Sequence, residues 1–313
     1  MLDPQAQALL KLMSDNGFVP IQTLTASEAR KAYEVRRKLT QAPPEAVAVI
    51  SNHSIESEAA TITLRSYRPI DSTISENLPA LIYFHGGGWT VGDLDSHDVL
   101  CRSLSNRSKC MVVAVNYRLA PENPFPAAYI DSLNAFRWVA ANANKLGVDA
   151  SRMAVGGDSA GGNLAAAACI ALREEATRPK FQLLIYPAVD LQAQTPSYFQ
   201  NATGYGLTRD AMIWYTSNYI NDPAHITDWR ASPILAQNLQ GLPPALVITA
   251  GFDPLCDDGL NYADALSNAG CKVEYVNFSR QIHGFITMGG LIDETKTAVN
   301  LCAQSLKQAL SIK

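Results

Sequence analysis

A serine, a histidine and an aspartate that meet in a fold can carry out nucleophilic acyl transfer, with the histidine as base and the acid as its orienting partner. The sequence offers such a serine in Gly157-Asp158-Ser159-Ala160-Gly161. The apolar run Met153-Ala154-Val155 precedes it and an Ala-rich stretch follows. A G-x-S-x-G turn between strand and helix holds its serine in a strained, exposed position. Glycines are required two residues to either side, where a side chain would meet neighbouring backbone. The positive end of the following helix also falls beside Ser159, which favours negative charge developing there.

A second stretch, His85-Gly86-Gly87-Gly88-Trp89, closes the apolar run Ala80–Phe84. Three consecutive glycines can turn bare backbone N–H groups toward a ligand. Alone they read equally well as a flexible turn, but beside the serine turn the amides of Gly86 and Gly87, with that of Ala160, form the expected oxyanion hole. Each such donor contributes about 10²–10³ in rate. The base and acid should follow the serine in the order acid, then histidine. Among the five histidines, only His283 lies beyond the last expected strand. Of the others, His97 reads as a packing or hydrogen-bonding residue. Asp253 directly follows the run Ala245–Thr249 and is the expected acid. Its neighbours Asp257 and Asp258 fall where a helix begins and read as N-terminal charges. Asp158 reads as support for the turn.

These residues need a scaffold. Residues 3–15 and 27–39 read as amphipathic helices, the second opening with Thr25 and Glu28 at capping-box spacing. After Pro43-Pro44, strand-length apolar runs recur at Thr61–Tyr67, Ala80–Phe84, Met111–Asn116, Arg152–Val155, Phe181–Tyr186, Ala245–Thr249 and Val273–Phe278. Helical patterns lie between most of them, at 126–145, 162–175 and 257–268, with a last helix over 294–310. That alternation implies a largely parallel sheet covered on both faces. Residues 190–233 interrupt it with Tyr198, Phe199, Tyr205, Trp214, Tyr215, Tyr219 and Trp229 around a helix over 208–220. This segment reads as an inserted cap over an apolar pocket. The expected organisation is therefore N-terminal cap helices (1–45), a core in two parts (46–189 and 236–313) and a cap segment (190–235). Tyr205, Trp214 and Tyr215, with Trp89 and Phe285 beside the two key motifs and Phe18 from the N-terminal helices, are the expected pocket residues.

The chain has 313 residues, 47% hydrophobic and 17% charged, which is too apolar for disorder. A net charge of −4 gives no reason to expect a nucleic-acid partner. Cysteines 101, 110, 169, 256, 271 and 302 lack metal-ligand spacing and read as free thiols of a reducing compartment. Residues 1–13 lack the pattern of a signal peptide and no apolar run suits a membrane helix, so a cytoplasmic location without membrane insertion is expected. Neither metal nor cofactor is required.

These motifs are joined by Gly92-Asp93-Leu94-Asp95-Ser96-His97-Asp98, Tyr117-Arg118-Leu119-Ala120-Pro121-Glu122, Phe125-Pro126-Ala127-Ala128, Gly251-Phe252-Asp253-Pro254-Leu255 and His283-Gly284-Phe285. In this order, over about residues 60–290, the chain resembles the bacterial esterases similar to hormone-sensitive lipase, a branch of the α/β-hydrolases. The resemblance implies a mostly parallel eight-stranded sheet with helices on both faces and a helical cap. It also implies hydrolysis of short- to medium-chain acyl esters, small molecules, through an acyl-enzyme. Asp257-Asp258 departs from the Asp-Glu often found there. Related esterases often dimerise, so a homodimer is one expectation, with no segment identifying an interface. The same triad serves deacetylases, amidases, lactonases and acyltransferases, which the motifs do not separate. A ligand-binding protein that has lost catalysis, as in plant gibberellin receptors, is disfavoured by the presence of His283.

Overall fold

A computed structural model describes residues 1–56 and 60–312. Eight strands form one sheet: β1 (Val49–Glu56), β2 (Thr61–Arg68), β3 (Leu78–Phe84), β4 (Met111–Asn116), β5 (Val148–Asp158), β6 (Gln182–Ile185), β7 (Ala245–Phe252) and β8 (Val273–Ile282). Their order is β1-β2-β4-β3-β5-β6-β7-β8. The β1–β2 and β2–β4 pairs are antiparallel and the rest parallel. The strand absent from the sequence reading is β1. It holds only three strong apolar residues and is mostly exposed, so its pairing with β2, not burial, defines it.

The helices before the sheet are α1 (Pro4–Asp15) and α2 (Ala26–Thr40); the capping box of Thr25 and Glu28 is formed at α2. Within the core lie α3 (Asp98–Ser108), α4 (Ala127–Ala141), α5 (Ala143–Leu146) and α6 (Ala160–Ala171). The helix read over 126–145 is thus two, broken at Asn142, and α6 starts two residues earlier than its pattern and stops at Ala171. Between β6 and β7 come α7 (Pro196–Gln200) and α8 (Arg209–Tyr219), followed by α9 (Cys256–Asn268) and α10 (Glu294–Ala309).

Strand residues alternate between two layers, as the period of a strand requires. Ile82, Phe84, Val113, Val155 and Leu184 face the layer that holds Phe136 of α4, Leu164 of α6 and Tyr262 of α9. Leu81, Tyr83, Val112, Ala154 and Leu183 face Leu104 of α3 and Cys302 of α10. Chain direction across the sheet diverges at β3, which lies between β4 and β5. The loops leaving β3 and β5 therefore part to opposite sides and open a crevice at the carboxyl ends. All six cysteines are free thiols. No helix among the described residues is long and apolar enough to cross a membrane.

A buried ion pair pins the start of the stretch after β4. Arg118 donates to Asp131 of α4 through its backbone N–H at 2.9 Å and through Nη2 at 2.7 Å, and the Asp131 side chain is buried. From there Ala120 N–H reaches the Trp89 carbonyl at 2.8 Å, so the pair also steadies the glycine loop. Asp131→Ala leaves Arg118 without its partner and should cost about 3 kcal/mol. A lower urea midpoint at unchanged slope is the expected reading.

Candidate active site

The turn after β5 places Ser159 at φ +56° and ψ −118°, a left-handed backbone that a serine adopts only under constraint. Its N–H donates to the Ile185 carbonyl at 2.8 Å. A Cβ on Gly161 would lie 1.9 Å from the Phe84 carbonyl oxygen, and one on Gly157 2.3 Å from the same atom. Both glycines are therefore imposed by the close approach of β3.

His283, just past β8, brings Nε2 to 3.0 Å from Ser159 Oγ and Nδ1 to 2.7 Å from Asp253 Oδ2. Asp253 is fully buried, and its other oxygen accepts the Leu255 N–H at 2.9 Å. The Tyr186 ring packs 4.5 Å from the imidazole and limits its tilt. The three residues singled out in the sequence thus meet in one hydrogen-bonded chain. Such a chain can draw the proton from a hydroxyl as that hydroxyl attacks a carbonyl.

One oxyanion expectation needs correction. The Gly86 N–H points to Asp158 Oδ1 at 3.0 Å and is not free to serve a ligand. The amides of Gly87, Gly88 and Ala160 take no acceptor among the described residues, and all three residues line the cavity above Ser159. The run of three glycines signals this loop, but only the fold shows which amide is committed.

Asp158 holds more than the turn. It is buried and accepts from Tyr83 Oη at 2.7 Å and Gly86 N–H at 3.0 Å, with His97 Nε2 3.1 Å from Oδ1. His97 Nδ1 lies 2.9 Å from Ser96 Oγ, so His97 is a hydrogen-bonding residue, as its place after the glycine run implied. Burial alone would raise the Asp158 carboxyl; the His97 imidazole and the His97 and Tyr83 hydrogen bonds more than offset it and hold it below the ordinary carboxylate range. His85 stacks on Tyr117 at 4.2 Å, and burial, with His97 nearby, lowers its pKa to about 4, so it is neutral.

The cavity measures about 370 Å³, near the lower end of ligand sites at about 300–1,000 Å³. Phe18, Trp89 and Tyr215 line it. Tyr205, Trp214 and Phe285 do not, and the pocket expectation is corrected for these three. Tyr205 packs on Phe252 at 4.9 Å and Trp214 on Tyr215 at 5.1 Å. Phe285 is buried between Phe278 and Tyr186. Sequence gives an aromatic ring but not its facing, which packing decides. Tyr33 and Arg36 of α2, which the sequence did not single out, also line the cavity. Asp257 and Asp258, read as helix-start charges, do lie in the first turn of α9, but they also fasten the segment after β6: Asp257 accepts the Ser197 N–H at 2.8 Å and Asp258 the Asp190 N–H at 3.3 Å.

With this geometry in place, a family model of the α/β-hydrolase fold matches residues 81–287. The chain belongs to the α/β-hydrolases, in the branch of the hormone-sensitive-lipase-like esterases. This hydrolase is 37% identical to an ethyl acetate hydrolase of Pseudomonas putida over 99% of each chain. An α/β-hydrolase from the metagenome of Lake Arreo, 42% identical, superposes with a TM-score of 0.95 over 99% of both chains. A hyperthermophilic esterase of the archaeon Pyrobaculum calidifontis, 39% identical, gives 0.91 over 98% of each.

Asp158→Asn in this hydrolase removes the charge facing His97 and one acceptor of the network. Slack of about 1 Å in the loop should lower kcat about 10–100-fold. The stability that Asp158 contributes is complete above the pKa of an unfolded aspartate, about 3.9, and is lost as pH falls through its lower folded value. The Tm gap between wild type and Asp158→Asn should therefore be widest near neutrality and close below about pH 4.

Proposed function

We propose that the protein is a carboxylesterase for short- to medium-chain acyl esters, working through Ser159, His283 and Asp253. His283 Nε2 takes the Ser159 proton while Oγ forms a bond to the acyl carbon. The carbonyl oxygen gains the negative charge and is met by the N–H groups of Gly87, Gly88 and Ala160. As the tetrahedral species collapses, the C–O bond to the alcohol breaks and His283 returns the proton to the leaving oxygen. Asp253 holds the imidazole with Nε2 facing the serine and stabilises its cationic form. Water, deprotonated by His283, then attacks the acyl-enzyme and releases the acid.

The observation that carries this reading is the unbroken hydrogen-bonded chain from Ser159 to Asp253 at the cavity floor, beside amides that take no acceptor among the described residues. The restriction on chain length is supported by the cavity of about 370 Å³ and by the ethyl acetate hydrolase among the relatives. Residues 1–45 and 190–235 act in this reading as a cap, since α2 and α8 pack together over the cavity through Ala29, Ala211 and Tyr215. We take the protein to be cytoplasmic, in keeping with its free thiols; sedimentation of the full chain would read whether it forms the homodimer that its resemblance to other esterases allows.

Ser159→Ala should lose about 10⁴-fold or more of kcat on p-nitrophenyl butyrate while keeping the wild-type circular dichroism and Tm within a few degrees. Near-normal turnover would remove Ser159 from the reaction. Across acyl lengths, kcat/KM should fall steeply from butyryl to palmitoyl. Equal rates on both would mean that the cavity does not bound the acyl group.

A further inference from the structure

α2 presents Ala29, Ala32, Tyr33 and Arg36 to the cavity above Ser159. Their spacing of i, i+3, i+4 and i+7 is that of one helix face. Of the other cations of the same helix, Lys31 is exposed and three are occupied elsewhere. Arg30 pairs with Glu122 at 2.6 Å, Arg37 donates to the Asp95 carbonyl, and Lys38 pairs with Glu34 at 2.7 Å. Arg36 differs from these three. Among the described residues its guanidinium forms no ion pair and donates no hydrogen bond; it lies 4.9 Å from the centroid of the Tyr33 ring. The cavity wall it shares is largely apolar, with Phe18, Leu24 and Met212, and also carries the phenols of Tyr33 and Tyr215, the side chains of Gln22 and Thr208, and Asp158 beside the serine. Burial raises the pKa of both phenols and the charge of Arg36 pulls each back, so the cation acts on the same space.

A guanidinium in a half-buried wall without an anion has lost part of its hydration and gained no charged partner. A carboxylate entering that space is met by a planar fork of donors whose geometry fits it. We infer that Arg36 is a specificity-determining residue, which takes the distal carboxylate of an ester carrying an anionic group remote from the scissile bond. A monoester of a dicarboxylic acid presents that group on the acyl side; an acylated hydroxy acid presents it on the alcohol side. The inference rests on the esterase reading of Ser159 and names the substrate class within it. Neutral short-chain esters would use the same serine without engaging the cation.

The test compares kcat/KM for two matched pairs on the full chain. One pair is p-nitrophenyl hydrogen adipate and p-nitrophenyl hexanoate. The other is 4-acetoxybenzoate and its methyl ester. The quantity read is the ratio of anionic to neutral ester within each variant, which cancels any general loss of activity. A charge-assisted contact of this kind predicts that Arg36→Gln lowers the ratio about 10–100-fold in one pair, which identifies the side of the ester that faces Arg36. Arg36→Lys should retain most of the ratio. The wild-type ratio should also fall as NaCl rises to about 0.5 M, a readout that needs no variant. A ratio unmoved in both pairs by Arg36→Gln, or a wild-type ratio indifferent to salt, overturns the inference while leaving the esterase reading intact. Failure of the wild type to cleave either neutral ester would instead remove the esterase reading, and this inference with it.

Discussion

The site is built around a steric contact: the Phe84 carbonyl at the end of β3 sits where side chains on Gly157 and Gly161 would otherwise be. That approach lets the chain leave β5 at a sharp angle, with Ser159 at φ +56° and Oγ toward the crevice. Such a backbone costs on the order of 1–3 kcal/mol and persists only where the surroundings over-determine it. Here the Ser159 N–H bond to Ile185 anchors the turn on one side, and the buried Ala-rich helix α6 anchors it on the other. The pairing of Phe84 with Gly157 across the parallel strands then sets the glycine loop beside the serine.

A buried charge joins the two loops. Asp158 lies one residue before the serine and binds the end of β3 through Tyr83, the glycine loop through Gly86, and the loop after it through His97. His97 is in turn held by Ser96, whose hydroxyl donates to the Asp93 carbonyl at 2.7 Å. A carboxylate buried this deeply is costly without such partners. The network therefore enforces one mutual arrangement of serine and amide donors. It also explains why Gly86, nearest the strand, serves the scaffold while the next two glycines face the cavity.

The cavity is shaped by elements distant in sequence. Trp89 stacks on Tyr219 at 4.3 Å, which ties the glycine loop to α8. Tyr205, Trp214 and Phe285 stand behind the wall and brace it, while α1, α2 and the loop between them provide much of its apolar surface. At the start of the segment between β6 and β7, Asp258 is buried against Asp190; burial first, and then that neighbouring charge, push its carboxyl well above the ordinary range. The same helix start that follows Asp253 thus also fastens this segment, which couples the acid to the roof over the serine.

The sequence by itself determined the serine turn, the glycine loop, the positions of Asp253 and His283, and seven of the eight strands. These are local properties: a turn that only glycine tolerates, and apolar runs of strand length bounded by polar ones. The resemblance of its ordered motifs supplied the eighth strand and the branch of the family. Tertiary structure alone decided where that eighth strand, β1, lies, because a strand exposed on most of its residues leaves no hydrophobic pattern. It alone decided that Gly86 turns inward while Gly87 and Gly88 turn outward, since identical residues carry no record of which carboxylate lies within reach. It alone separated Tyr215, which lines the cavity, from Trp214, which packs behind it, and left Arg36 without an ion pair among the described residues while Arg30, Arg37 and Lys38 found partners. Facing and pairing are properties of the space between elements, and that space is defined only when distant segments pack.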